Sequence, residues 1–146
     1  MIMAIIANAE VRMLAEPWSG EVRSGTHQFI TDKPESFGGQ DQGPAPYDLL
    51  CAGLISCTMI TLRMYASHKG IELGEFAVEA DFYANKEGEE WIERRLSFAQ
   101  PLPEELKQKI LEISSKTPVT KTLLRSVEIK TGWCFKKYAE TKQVEF

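Results

Sequence analysis

Pro46-Tyr47-Asp48-Leu49-Leu50-Cys51-Ala52-Gly53-Leu54-Ile55-Ser56-Cys57-Thr58-Met59-Ile60-Thr61-Leu62 decides the architecture of this chain. From Leu49 to Leu62 every residue is apolar or small. A helix that is apolar on every side is one surrounded by protein. Its ends are marked as well. Pro46 suits the first turn, where a missing N–H costs nothing, and Asp48 lies near the positive end of the dipole. His68-Lys69-Gly70 closes the helix with cations and a C-cap glycine. A membrane span needs about 20 apolar residues. This run breaks at Arg63, so the expectation is a buried core helix from Pro46 to about Lys69.

Upstream, residues 32 to 46 hold Pro34, Gly38, Gly39, Gly43, Pro44 and Pro46, a loop whose path is specified because glycine opens positive φ and proline fixes it. Residues 1 to 31 carry short strand-like runs broken at Pro17-Trp18-Ser19-Gly20 and Ser24-Gly25, which predicts an antiparallel meander. Met1 to Ala9 reads as its first strand. The run lacks a basic flank and meets Glu10 and Arg12, unlike a secretory signal. Downstream, Phe76, Val78, Ala80 and Phe82 alternate with Glu79, Asp81 and Tyr83 as in a half-buried strand. Lys86-Glu87-Gly88-Glu89 then turns into a second strand, Trp91 to Phe98. Pro103-Glu104-Glu105 starts a helix with an inward stripe of Leu106, Ile110 and Ile113. Pro118 interrupts that helix, a short one continues through Leu123, and Val127 and Ile129 give a last strand. The order predicts a single α+β domain over residues 1–146.

The 146 residues carry a net charge of -4, which offers no general attraction to phosphate backbones or anionic lipid. Neither nucleic acid nor membrane is an expected partner. Three cysteines, an odd number, argue against a disulfide framework and place the chain in the reducing cytoplasm. Cys51 and Cys57 are six residues apart, Cys134 stands alone, and His27 and His68 are isolated from them. No zinc-ligand spacing is present, and no metal or cofactor is expected.

A buried cysteine is by default a small hydrophobe, and this reading holds for Cys51 and Cys134. Cys57 lies about three turns into the helix, beyond the reach of the N-terminal dipole, so a reactive thiolate there needs a cation brought from elsewhere. The stretch Gly38-Gly39-Gln40-Asp41-Gln42-Gly43-Pro44-Ala45-Pro46-Tyr47-Asp48-Leu49-Leu50, leading to Ser56-Cys57-Thr58, resembles the signature of the OsmC/Ohr superfamily, the osmotically induced and organic-hydroperoxide-resistance proteins. The later order of hairpin, helix, Lys116-to-Leu123 turn and final strand also resembles it. The likeness covers roughly residues 10–131 and leaves 132–146 as a C-terminal extension.

The resemblance implies an intertwined homodimer with two long central helices wrapped by antiparallel sheets. It also implies that Cys57 attacks a hydroperoxide as a thiolate and becomes a sulfenic acid. In such a site a second cysteine condenses with the first, and an external thiol or dithiol reduces the disulfide. Here the second position is Thr117, whose hydroxyl cannot resolve a sulfenic acid. The glutamate expected directly after Pro46 is Tyr47, with Asp48 next. Asp48 lies about 13 Å of helix rise from Cys57, so any help to the thiol comes from the partner's copy of that residue; it is otherwise a dipole-favouring acid. Arg23 is the first candidate for the activating cation and Arg12 the second; each is otherwise a solvated strand or turn residue. Arg63 lies about 240° round the helix from Cys57 and does not reach its thiol.

Cys51 is about 9 Å from Cys57 along one helix, beyond the roughly 7 Å limit for a disulfide. Only an inter-chain Cys51, or Cys134, could resolve Cys57; without either, an external thiol clears it.

Three functions follow. The first is thiol-dependent reduction of organic hydroperoxides through Cys57 in oxidative-stress defence. The second is a non-catalytic protein binding a small hydrophobic ligand in an apolar dimer cleft, and the third is a scaffold without activity. All rest on a homodimer, because one meander, one hairpin and one shorter helix barely cover a helix that is apolar all round. Static light scattering at high dilution is expected to give the mass of two chains; a single-chain mass would remove the dimer.

Overall fold

The structure, a computed structural model, describes residues 2–135. Three strands, β1 (Ala9–Met13), β2 (Gly20–Ser24) and β3 (His27–Thr31), form an antiparallel meander in the order β1-β2-β3. Helix α1 (Pro46–Lys69) follows, then the hairpin β4 (Phe76–Ala84) and β5 (Glu90–Phe98), and helices α2 (Glu104–Ser114) and α3 (Pro118–Arg125). The class is α+β, as the order of elements predicts. Helix α1 has the expected bounds, with Pro46 at its start and Gly70 closing it at φ 64. It is long and apolar enough to cross a membrane by length and composition, yet it packs against β4, α2 and α3.

Leu54, Thr58, Leu62 and Ala66 are the buried residues of α1, one every fourth position and hence a single face. Leu62 and Ala66 join Leu73 and Ile110 in the core, and Phe76, Leu96, Phe98, Leu106 and Ile113 pack around them. The inward residues of the hairpin alternate as the sequence pattern requires: Phe76, Val78, Ala80 and Phe82 on β4, Ile92, Arg94, Leu96 and Phe98 on β5. Phe76 and Phe98 sit opposite each other and stack with ring centroids 5.2 Å apart. The other side of α1 is open in one chain, where Ile60 is 51% and Met64 67% exposed. The meander supplies none of the main contacts of α1.

Two expected strands are absent. Met1 to Ala9 is not the first strand; pairing begins at Ala9, opposite Ser24, and residues 2–8 are unpaired. The reason is the partner: β2 ends at Ser24, where the chain turns at Gly25 (φ 58), so the ladder has no further residue to pair with earlier ones. Val127 and Ile129 form no last strand either, and both are exposed. Alternating apolar residues prepare a segment for pairing, but a strand exists only against an edge, and among the described residues no strand pairs with this segment. Helix α2 starts at Glu104, with Pro103 as its N-cap rather than within the first turn. Of the expected C-terminal extension, residues 136–146 lie outside the described residues.

The loop before α1 is shaped by one buried acid. The Asp32 carboxylate, 3% exposed, accepts backbone N–H bonds from Lys33 (2.7 Å), Gln40 (3.3 Å) and Gln42 (3.4 Å). Gly39 and Gly43 fit because they lack side chains: a β-carbon on either would overlap the backbone of Lys33 or Ile30. Thr31 Oγ1 donates to the Pro44 carbonyl at 2.8 Å and fixes the entry to α1. Replacing Asp32 with alanine leaves those N–H groups unpaired and is expected to lower unfolding free energy by about 2 kcal/mol in a urea titration. An unchanged midpoint would mean that water satisfies the loop.

Candidate functional site

Cys57 is half-buried on α1, beside the fully buried Thr58. The backbone rotates about 100° per residue, so when Thr58 points into the core the Cys57 side chain stands at its border. The hairpin brings a charge to that border. Arg94 occupies an inward position of β5 between Ile92 and Leu96, and its guanidinium is held from three directions. Nη1 donates to Thr58 Oγ1 (3.0 Å) and Thr120 Oγ1 (2.9 Å), and Nη2 donates to the Ser114 carbonyl (2.7 Å). Ser114 ends α2, so its carbonyl belongs to the negative end of that helix and suits a cation. Thr58 Oγ1 in turn donates to the Leu54 carbonyl at 2.8 Å.

Burial lowers Arg94 from the ordinary arginine value, and electrostatic interaction with Cys57 raises it. A guanidinium remains charged throughout the working pH range. The arrangement therefore holds a fixed positive charge within electrostatic reach of one thiol. Sequence reasoning missed Arg94, although a signal was present: in the alternation Ile92, Arg94, Leu96, Phe98 it is the one charge on an apolar face.

The other candidates lie elsewhere. The Asp48 carboxylate accepts the Ala45 N–H at 3.0 Å and caps the helix that carries Cys57 nine positions later. Arg23 is on β2, with Nε 3.2 Å from Glu21, and Arg12 is on β1, with Nε 2.9 Å from Glu10. Cys51 is held as a thiol: burial raises it first, and Asp48 and Asp81 raise it further by repelling a thiolate. Cys134 is exposed, and all three cysteines are free. Thr117, where a resolving cysteine was sought, is fully buried, with Oγ1 2.6 Å from Thr120 Oγ1. No group of three or more metal-ligating side chains occurs among the described residues.

A cleft of about 770 Å³ opens above Arg94. Its walls are mainly Tyr47, Leu50, Leu54, Phe82, Trp91 and Leu123, with Arg94, Glu90, Ser115 and Thr120 as the polar residues; Cys57 does not line it. Tyr47 and Phe82 close one side with ring centroids 4.5 Å apart. Such a site accepts an apolar body and offers positive charge and hydroxyls at one point.

Comparison with known proteins places these features in a family. Residues 39–132 match the family described as OsmC-like protein. Among solved structures, the chain is similar to an OsmC like protein from Mycoplasma pneumoniae, with a TM-score of 0.68 at 22% identity over 84% of this chain and 89% of that one. An organic hydroperoxide resistance protein from Elizabethkingia anophelis is similar at TM-score 0.63 and 22% identity, over 84% and 90% of the two chains. The organic hydroperoxide resistance protein OhrB of Bacillus subtilis gives 0.56 and 21%, over 81% and 90%. No curated protein matches the chain. The family match spans the glycine loop, the central helix with Cys57, the hairpin with Arg94 and both later helices, and the chain belongs to the OsmC-like family.

Proposed function

We propose that this protein reduces organic hydroperoxides through Cys57 at the expense of an external thiol, as part of oxidative-stress defence in the cytoplasm. The observation that carries this reading is the half-buried Arg94 guanidinium, bonded to Thr58 next to Cys57. A thiolate is the reactive form of cysteine, and a neighbouring cation stabilises it where the helix dipole does not reach. Neither Cys51, faced by two carboxylates, nor the exposed Cys134 has such a partner among its recorded interactions.

In the first step the Cys57 sulfur attacks the outer peroxide oxygen and the O–O bond breaks. The sulfur becomes a sulfenic acid, and the alkoxide leaves as an alcohol after taking a proton. An external thiol then attacks the sulfenic sulfur, water departs, and a mixed disulfide forms. A second thiol releases Cys57 and carries away the oxidised pair. In this reading an external thiol clears Cys57, since Thr117 offers no thiol and Cys51 lies about 9 Å along the same helix.

In this reading the protein works as a homodimer. The open face of α1 at Ile60 and Met64 meets a second copy. Asp48 and Arg23 reach Cys57 from the partner. The cleft of about 770 Å³ takes the apolar part of the hydroperoxide. The same cleft supports a second reading, a non-catalytic protein that holds a small hydrophobic ligand with Cys57 as packing. Consumption of tert-butyl or cumene hydroperoxide with dithiothreitol separates the two. Turnover is expected for the wild type and at least tenfold less for Cys57→Ser, in line with loss of a nucleophile. Equal rates for both proteins, together with an apolar molecule found by native mass spectrometry, would establish the binding protein instead.

A further inference from the structure

Thr117 cannot do the work of a thiol, but its hydroxyl is not idle. Thr117 and Thr120 face each other at 2.6 Å in the space between α2 and α3, where Thr117 is fully buried and Thr120 is 9% exposed. One assignment of the two hydroxyl protons uses every contact. Thr120 Oγ1 has one proton and two lone pairs. It accepts Arg94 Nη1 at 2.9 Å, and its own proton points to the Ser114 carbonyl at 3.3 Å. The contact at 2.6 Å is then satisfied by Thr117 donating to the second lone pair of Thr120. Both threonine hydroxyls are thus committed to one relay, from Thr117 through Thr120 to Arg94. The Ser114 carbonyl closes it by accepting from both Thr120 and Arg94.

We propose that Thr117 and Thr120 are positioning residues that hold the Arg94 guanidinium beside Cys57. The threonine at position 117 therefore serves the thiolate by fixing its counter-charge rather than by resolving its oxidised form. Three features carry this. A long side chain with a charged end has much rotamer freedom, and fixing it needs several directed bonds. Arg94 has them on both terminal nitrogens, and the Thr58 bond ties it to the residue next to Cys57. The relay also lies away from the cleft mouth: Thr120 lines the cleft, whereas Thr117 stands behind it.

This inference rests on the reading of Cys57 as a reactive thiol, and its test is separate from turnover. Alkylation of Cys57 by anionic iodoacetate and by neutral iodoacetamide, read at that residue by mass spectrometry, reports the local charge. A fixed cation speeds the anionic reagent selectively, which a purely structural arginine away from the thiol does not do. The iodoacetate-to-iodoacetamide rate ratio is expected to fall about fivefold in Arg94→Gln, and about twofold in Thr120→Val and Thr117→Val, whose bonds to the guanidinium relay are lost. Thr120→Ser, which keeps the hydroxyl, is expected to restore the wild-type ratio. In urea all variants should give one ratio.

Folded Thr117→Val and Thr120→Val proteins with the wild-type ratio would overturn the proposal, and they decide it even where Arg94→Gln does not fold. Wild-type protein without hydroperoxide turnover, but with the ratios falling as expected, would retire the peroxidase reading and leave the relay standing. Turnover with all ratios unchanged would do the reverse.

Discussion

The face formed by Leu54, Thr58, Leu62 and Ala66 on α1 must be covered, and most of the molecule is arranged to cover it. Four residues advance a helix by about 400°, so this stripe winds by about 40° per step, about 120° from Leu54 to Ala66, and its cover comes from more than one element. The β4–β5 hairpin supplies a sheet, and α2 and α3 close the flanks. The stripe contains one polar member. Thr58 is fully buried, and a buried hydroxyl demands partners. It finds the Leu54 carbonyl and the Arg94 guanidinium, and Arg94 in turn requires Thr120 and the end of α2. A half-buried cation left without these bonds would be destabilising, so the polar cluster and the helix packing stand together.

That coupling links fold to chemistry. Cys57 precedes Thr58, so whatever locks Thr58 to the hairpin also sets the distance between the thiol and the guanidinium. Helix α1 alone gives Cys57 no electrostatic help, because its dipole fades within the first turn. The charge comes from a strand about forty residues later, and the hydroxyls that hold it come from the segment where a resolving cysteine would have served. In the proposed cycle an external thiol clears the oxidised product, since Thr117 offers no thiol and Cys51 lies out of reach along the same helix.

Much of this was legible in the sequence, for physical reasons. The bounds of α1 were readable because proline, an early acid and a terminal glycine each act locally. The hairpin was readable because period-two alternation is local as well. The strands proposed at Met1–Ala9 and at Val127–Ile129 failed because pairing depends on an edge elsewhere, which composition does not reveal. Arg94 was missed for a similar reason: strand register turns it toward α1, and only a charge among Ile92, Leu96 and Phe98 hinted at it. The open face of α1 agrees with the expectation from composition that one chain alone leaves the helix underpacked.

The central claim is that Cys57 is oxidised by hydroperoxide and is not resolved by Cys51 of its own chain. Reduced protein should be mixed with an equimolar amount of tert-butyl hydroperoxide in the absence of thiol, then with dimedone, and analysed by peptide mass spectrometry. The account predicts a dimedone adduct on Cys57 and no disulfide between Cys57 and Cys51 of the same chain. Unmodified Cys57 with the hydroperoxide unconsumed, or an intrachain disulfide in place of the adduct, would contradict it.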